Sequence, residues 1–140
     1  MLRPVRERRF GMCRDKGLDA VEPDLMEGHS HRTGFPLTAH GQLRCNRMTA
    51  EIAHERGLPA GLRNGLPQVP QLVDDFDFAV DEECAQYGEC ERLTPFAAAG
   101  KAVFHGEHAV PTEAFRPQAH GLRLSSMRKK PDLGVRREAC

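Results

Sequence analysis

The sequence predicts an α/β protein with a mostly parallel sheet, and two observations lead to this prediction. Short β-like segments alternate with helix-like segments along the chain, which is the pattern of consecutive βα units. In four places a helix-like run ends at a glycine just before a β-like segment, at Gly17, Gly57, Gly100 and Gly121. Glycine readily adopts the left-handed conformation that closes the last turn of a helix.

The predicted elements follow in order from these signals. The predicted strands span residues 18–24, 58–63, 76–81, 101–105 and 122–126. Helices are predicted over residues 2–16, 38–56, 69–75 and 91–99. Thr38 is expected to cap the second of these helices, and Thr112 to cap a short helix that Pro117 disturbs. The opening helix precedes the first strand, so the chain starts in the middle of a βα repeat.

Bulk composition narrows the class of protein. The 140 residues leave room for one domain, and the formal net charge is zero. A neutral chain gives no indication of a nucleic-acid partner, and no apolar run approaches the length of a membrane span. The N-terminus is basic, but no hydrophobic segment follows it, so no secretory signal is predicted within this sequence.

The five cysteines form an odd set. Cys84 and Cys90 bracket a short loop that contains glycine, and we expect a disulfide between them in an oxidising compartment. Cys13 and Cys45 fall in helical patterns and are predicted to be buried free thiols, and Cys140 is predicted to stay unpaired. The duplicated close pairs typical of a structural zinc site are absent.

The stretch from Phe76 to Cys84 draws the most attention, because an apolar strand runs straight into three consecutive carboxylates. Charges are costly to bury, but they are tolerated where a strand opens onto a site, as at the C-terminal rim of an α/β barrel. The strand at 18–24 also ends in carboxylates. Paired carboxylates from separate strands suit glycoside hydrolysis, in which one acts as the acid and the other as nucleophile or base.

Other chemistries find less support. His29, His31, His105 and His108 could be drawn into a metal site with Glu107, but loop histidines without a helical ligand pair are mostly solvated, so no metal is predicted. No glycine-rich phosphate loop follows any predicted strand, and no GxSxG nucleophile elbow is present.

Several segments together resemble glycoside-hydrolase family 114, the endo-α-1,4-polygalactosaminidase-like proteins. The resemblance spans nearly the whole chain, in order. It is carried by VEPD (21–24), TGFPLT (33–38), QVP (68–70), LVDDFDFAV (72–80), GKAVFH (100–105) and SSMRK (125–129).

The resemblance implies a TIM-barrel fold, an amino-sugar polysaccharide as substrate, no cofactor and secretion. Its catalytic carboxylates would fall on Asp24 and Glu82. Side chains alternate along a strand, so Glu82 would face the same side as the apolar Phe78 and Val80 if the strand continued to it. We therefore expect Glu82 to lie beyond the regular strand. Residues expected to contact substrate are Glu22, Arg63, Asn64, Asp81, Tyr87, His105, Glu107 and Arg128.

The sequence also departs from the family pattern. Leu25, Glu27, His29, Gly65 and Asp81 stand where the family has Asn, Asp, Tyr, Asp and Asn. Arg116 replaces a cysteine that the family is expected to pair with the one at Cys140. An alternative interpretation is therefore a degenerate, non-catalytic carbohydrate-binding barrel fragment.

Length is the larger departure. A TIM barrel has eight βα units and about 250 residues, whereas this chain would supply the fourth to the eighth strands, about five βα units of one N-terminally truncated domain over residues 1–140. Five strands cannot close such a barrel, so its open edges predict self-association and weak activity.

Overall fold

The computed structural model describes residues 2–132 and 134–140. The chain divides into two compact units, one comprising the residues up to Asp77 and the other Phe78–Cys140. Helices and strands occur in both units, with a parallel bridge in the first and parallel strand pairs in the second, which confirms the α/β class. How many barrel strands the chain supplies stays a prediction. Within the described residues, no helix combines the length and the apolar character needed to cross a membrane.

The first unit contains helices α1 (Arg3–Asp15), α2 (Ala39–His54) and α3 (Val69–Leu72) and strand β1 (Gly61–Arg63). Thr38 caps α2 as predicted, because its Oγ1 accepts a hydrogen bond from the backbone N–H of Gly41 at 3.0 Å. Core residues of α2 include Asn46, Ile52 and Ala53, all fully buried.

Of the strand predicted at 18–24, the structure shows only a single parallel bridge, between Val21 and Ala60. The N–H of Val21 donates to the carbonyl of Pro59, and the carbonyl of Val21 accepts from Gly61, both at 2.9 Å. Pro23 has no N–H to continue the ladder, and Leu25 adopts a left-handed backbone with φ of 57°. The carboxylates that follow Val21 therefore belong to a loop.

The second unit contains strands β2 (Phe78–Glu82), β3 (Val103–Glu107) and β4 (Ser125–Lys129), which pair in parallel. Strand β5 (Arg137–Ala139), which the sequence patterns did not indicate, pairs antiparallel with β4. Helices α4 (Cys84–Tyr87), α5 (Thr94–Ala98) and α6 (Thr112–Gly121) connect these strands. Parallel pairing brings the carboxyl ends of β2, β3 and β4 to one edge of the sheet.

The predicted helix-closing glycines hold in three of four places. Gly17, Gly57 and Gly100 have φ of 73°, 69° and 71°. Gly121 instead belongs to α6, and Arg123 takes the left-handed position with φ of 59°. The side chain of Arg123 compensates for this strain by donating to the carbonyl of Ala97 at 2.8 Å.

Pro117 lies inside α6, where it removes one intrahelical hydrogen bond, and the helix continues past it to Gly121. Another expectation for α6 is wrong. Thr112 does not cap the helix: it is the first helical residue, and its hydroxyl donates to Glu138 Oε2 at 3.3 Å. Similarly, the helix predicted over residues 91–99 splits into a 3₁₀ turn, Cys90–Leu93, and α5.

Candidate active site

In the first unit, Arg63 organises two of the predicted site carboxylates. It is the last residue of β1, and its side chain is 26% exposed. Its Nη1 lies 3.4 Å from Glu22 Oε1, and its Nε lies 3.2 Å from Asp24 Oδ1. Glu22 and Asp24 follow Val21, whose bridge to Ala60 places them beside the end of β1. The structure therefore brings Glu22, Asp24 and Arg63 together.

The backbone around these residues is shaped by left-handed conformations. Leu25 has φ of 57°, and its N–H donates to Asp24 Oδ1 at 2.8 Å. After β1, Asn64 and Gly65 are consecutive left-handed residues with φ of 48° and 65°. Asparagine and glycine tolerate this conformation, whereas leucine rarely adopts it. Two sharp turns thus present Asp24 and Asn64 at the ends of their extended segments.

In the second unit, Glu82 is the last residue of β2 and pairs in register with Gly106. Its parity with Phe78 and Val80 is as predicted, but the expectation that it lies beyond the regular strand is wrong, because β2 continues to it. Glu82 lines an open, mostly apolar cavity of about 170 Å³. The other lining residues are Val80, Asp81, Phe104, His105, Gly106, His108, Ser125, Met127 and Lys129.

Sequence reasoning did not single out His108 as a partner of Glu82. Its Nε2 lies 3.9 Å from Glu82 Oε1, and its side chain is 16% exposed. Its Nδ1 lies 2.9 Å from the carbonyl oxygen of Lys129. In the sequence, strand alternation places His108 on the same side as Phe104 and Gly106. The pairing of Gly106 with Glu82, which brings His108 near that carboxylate, is seen only in the structure.

The expectation that the histidines are solvated is wrong for His105, because it lies within β3 and is 2% exposed. Its Nδ1 lies 2.9 Å from Ser126 Oγ, and its Nε2 lies 3.0 Å from Glu107 Oε1. Glu107 is fully buried, and the same oxygen accepts the N–H of Ala85 at 2.7 Å. This hydrogen-bonded group ties β3 to β4 and α4.

Strand alternation places His105 and Glu107 on the buried face of the sheet, together with Asp81, which is 1% exposed. Phe78, Val80 and Glu82 lie on the other, half-buried face. The ring of His105 packs edge-on against Phe115 of α6, at 5.4 Å between centroids. Substrate contact by His105, Glu107 and Asp81 stays a prediction.

The remaining predicted contacts lie at the margins of this unit. Arg128 Nε donates to the carbonyl of His108 at 3.4 Å, and its Nη1 lies 3.6 Å from Glu138 Oε2. Tyr87 ends α4 and is 65% exposed. Both side chains have room to meet a ligand, and their roles stay predictions.

A disulfide joins Cys84 to Cys90, the pairing that their spacing predicts, and encloses α4 in its loop. Cys13, Cys45 and Cys140 are free and half-buried, so Cys13 and Cys45 are less buried than predicted. Among the described residues, Cys84, Cys90 and His105 form one group whose potential metal-ligand atoms lie within 4.8 Å of one another. Because both sulfurs are bonded to each other, they are not thiolate ligands in this structure.

The class that these features define is an α/β protein with carboxylates at the ends of its extended segments, and comparisons with known proteins identify the family. The chain belongs to glycoside-hydrolase family GH114, whose model matches residues 2–140. The crystal structure of Aspergillus fumigatus Ega3 in complex with galactosamine is similar, with a TM-score of 0.90 and 30% sequence identity. The match covers 99% of this chain and 61% of the Ega3 chain.

A second similar structure is the glycoside hydrolase domain of PelA from Pseudomonas aeruginosa, with a TM-score of 0.65 and 15% identity. That match covers 98% of this chain and 63% of the PelA chain, and it supports the fold alone. No curated protein sequence matches the chain. The chain thus spans about three fifths of the solved structures that it resembles.

Proposed function

We propose that this chain supplies the two catalytic carboxylates of a glycoside hydrolase that cleaves α-1,4-linked galactosamine polymers. Asp24 and Glu82 would be those carboxylates, one acting as general acid and the other as nucleophile or base. The observation that carries the proposal is the family membership over residues 2–140, in which both carboxylates of the motif pattern are retained. Secretion is part of the same proposal.

The local geometry around each carboxylate supports these roles. Asp24 is 69% exposed, and its Oδ1 lies 3.2 Å from Arg63 Nε, so a fixed positive charge orients a carboxyl group that solvent and substrate can reach. Glu82 stands at the carboxyl end of a parallel strand, where α/β enzymes hold their catalytic groups, and it lines a cavity with apolar walls.

The galactosamine bound to Ega3 suggests the class of sugar. Arg63 with Glu22 in the first unit and Tyr87 with Arg128 in the second are proposed to contact it. Carboxylates such as Glu22 suit an amino sugar, since a protonated amine forms charge-assisted hydrogen bonds with them.

The test measures new reducing ends released from defined α-1,4-galactosamine oligomers by the 140-residue chain. Asp24→Asn and Glu82→Gln should each lower release to the detection limit, because each removes one half of the acid–base pair. Asp19→Asn and Glu91→Gln are matched controls at exposed positions and should leave the rate unchanged. Near-normal release by either active-site variant would remove that residue from the mechanism.

The second candidate function is a non-catalytic carbohydrate-binding barrel fragment. It is favoured by the replacements at Leu25, Glu27 and Gly65, which alter the loops beside Asp24 and β1. A lost hydrogen bond to a sugar or a carboxylate costs about 1–3 kcal/mol. Binding of galactosamine oligomers without release would support this function. Activity that appears only in the triple variant Leu25→Asn, Glu27→Asp, Gly65→Asp would identify a decayed enzyme.

A further inference from the structure

A second cavity, lined mainly by basic side chains, adjoins the cavity of Glu82 at the end of β4; we call it the basic cavity. We propose that the basic cavity binds the carboxylate of an acidic saccharide and forms an anionic subsite next to Glu82. The binding itself does not depend on catalysis, but its meaning as a subsite rests on the glycosidase function proposed above.

The charge of the basic cavity is strongly one-sided. The cavity has a volume of about 170 Å³ and lies beside the pair of strands β4 and β5. The charged residues that line it are Arg128, Lys129, Lys130, Arg136, Arg137 and Glu138. Several positive charges and a single carboxylate therefore converge in a chain whose formal net charge is zero.

The one carboxylate in this lining is already engaged with two of the cations. Glu138 Oε2 lies 3.6 Å from Arg128 Nη1, and Glu138 Oε1 lies 3.9 Å from Arg136 Nη2. Within the part of the chain that the structure describes, no ion pair joins the side chain of Lys129 or Arg137 to a carboxylate. These two cations are therefore available to an anion from outside the chain.

The strand register sets the same two cations against each other. Lys129 lies directly opposite Arg137 in the antiparallel pair, whereas the neighbouring pair is Arg128 with Glu138. Opposite charges at facing positions of a sheet are stabilising, and like charges there are destabilising. The Lys129–Arg137 pairing thus has an energetic cost in the free chain, and an anion bound between the two side chains offsets that cost.

The position of Lys129 connects the basic cavity to the cavity of Glu82. Lys129 shares a face of β4 with Met127, which lines the Glu82 cavity, and both Lys129 and His108 line the two cavities together. A ligand that spans them meets the mostly apolar walls around Glu82 at one end and the cations at the other.

An acidic sugar combines the two parts that this arrangement fits. Its ring offers C–H groups to the apolar walls, and its carboxylate matches the planar guanidinium of Arg137 and the ammonium of Lys129. The volume is sufficient for one ring, since a protein cavity of about 150 Å³ accommodates benzene. A free phosphate ion would use only the charged end.

The probe is a short oligomer of α-1,4-linked galacturonic acid, which has the linkage proposed for the substrate and a carboxylate on every ring. Fluorescence anisotropy of the end-labelled oligomer measures its binding to the 140-residue chain. The methyl ester of the same oligomer is the control, because it keeps the ring and the linkage but removes the charge. We expect the acid to bind about tenfold more tightly than the ester, and added salt to weaken its binding. Equal binding of acid and ester would overturn the proposal.

Inorganic phosphate separates a saccharide site from a general site for small anions. Unlabelled oligomer should displace the labelled oligomer at a much lower concentration of anionic groups than phosphate does. Displacement by phosphate at the same concentration of anionic groups would overturn the assignment to a saccharide.

Matched charge-neutralising variants test which cations bind the oligomer. The double variant Lys129→Gln, Arg137→Gln should weaken binding of the acid about tenfold, since it removes both cations that lack a carboxylate partner. The control, Arg8→Gln with Lys16→Gln, removes the same charge at exposed positions of the first unit and should bind as the wild type does. Wild-type affinity in the first double variant would overturn the proposal.

Arg137→Glu separates lost binding from lost folding. It places opposite charges at facing positions, so the urea midpoint of unfolding should rise while binding of the acid disappears. A lower midpoint, or retained binding, would overturn the account of the basic cavity. The release assay with galactosamine oligomers tests the proposed function separately. Release without galacturonate binding refutes the subsite alone, whereas galacturonate binding without release supports the anion site and refutes the hydrolase.

Discussion

At the scale of single residues, Leu25 shows how a substitution next to a retained carboxylate is accommodated. The backbone N–H of Leu25 donates to Asp24 Oδ1 at 2.8 Å, a contact that any residue but proline can make at this position. The leucine side chain is 67% exposed, so it adds little packing. The backbone hydrogen bond therefore maintains the turn, although its left-handed conformation is energetically unfavourable for leucine.

Leu25→Asn should therefore stabilise the chain. Asparagine adopts the left-handed conformation at lower cost than leucine, and the gain in the free energy of unfolding should be about 1 kcal/mol. Urea unfolding followed by circular dichroism measures it. Leu18→Asn, at a second exposed leucine, is the matched control and should show no gain. A loss of stability in Leu25→Asn would contradict the account of this turn.

Residues Glu22, Asp24 and Glu82 could be selected from the sequence because carboxylates that follow apolar strands are unusual. His108 could not, because its significance depends on the register of β2 against β3 and on a backbone carbonyl of β4. Parity alone placed it on the Glu82 side. The distances from His108 to Glu82 and to the Lys129 carbonyl follow only from the folded structure.

At the scale of elements, the ends of helices explain why predicted strand positions shifted. The N–H groups of Leu18, Leu58, Lys101 and Leu124 each donate to a carbonyl five residues back. These bonds belong to the Schellman type of helix ending and use residues that the hydrophobic pattern assigned to strands. Strands β3 and β4 therefore begin later than predicted, at Val103 and Ser125. Glycines correctly predicted three of these four helix endings. The fourth could not be predicted, because Arg123, a residue that rarely adopts the left-handed conformation, occupies that position.

The Cys84–Cys90 disulfide should stabilise the element that follows Glu82. It closes a loop with a sequence separation of 6 around α4, and loop-closure entropy predicts a contribution of about 2–3 kcal/mol. The double variant Cys84→Ser, Cys90→Ser should lower the free energy of unfolding by that amount. Cys45→Ser is the control for a thiol that is free. Peptide mapping without reductant checks the pairing, and a Cys84 peptide linked to Cys140 would contradict it.

At the scale of the whole molecule, the sheet of the second unit has one face against helices and another with exposed apolar side chains. Phe104 on the second face is 46% exposed, and it packs edge-on against Phe78 with 5.8 Å between ring centroids. Exposed apolar faces and unpaired strand edges promote association. The sequence allowed this expectation because five predicted strands cannot close an eight-stranded barrel.

Residues 1–140 expressed alone should therefore self-associate. Sedimentation velocity at increasing protein concentration measures this, and we expect species larger than the 15.6 kDa chain. Phe104→Ser should shift the distribution towards the monomer. Val135→Ser removes a fully exposed valine and should not. A stable, fully active monomer would contradict the expectation that five strands leave an open barrel edge.

The central proposal is that this chain hydrolyses galactosamine polymers through Asp24 and Glu82. Its most direct test is mass spectrometry of galactosamine oligomers incubated with the chain in ¹⁸O-labelled water. We expect shortened oligomers carrying one heavy oxygen at the new reducing end with the wild type, and none with Asp24→Asn or Glu82→Gln. Labelled products at the wild-type level from either variant, or tight oligomer binding by the wild type with no labelled product, would contradict the claim.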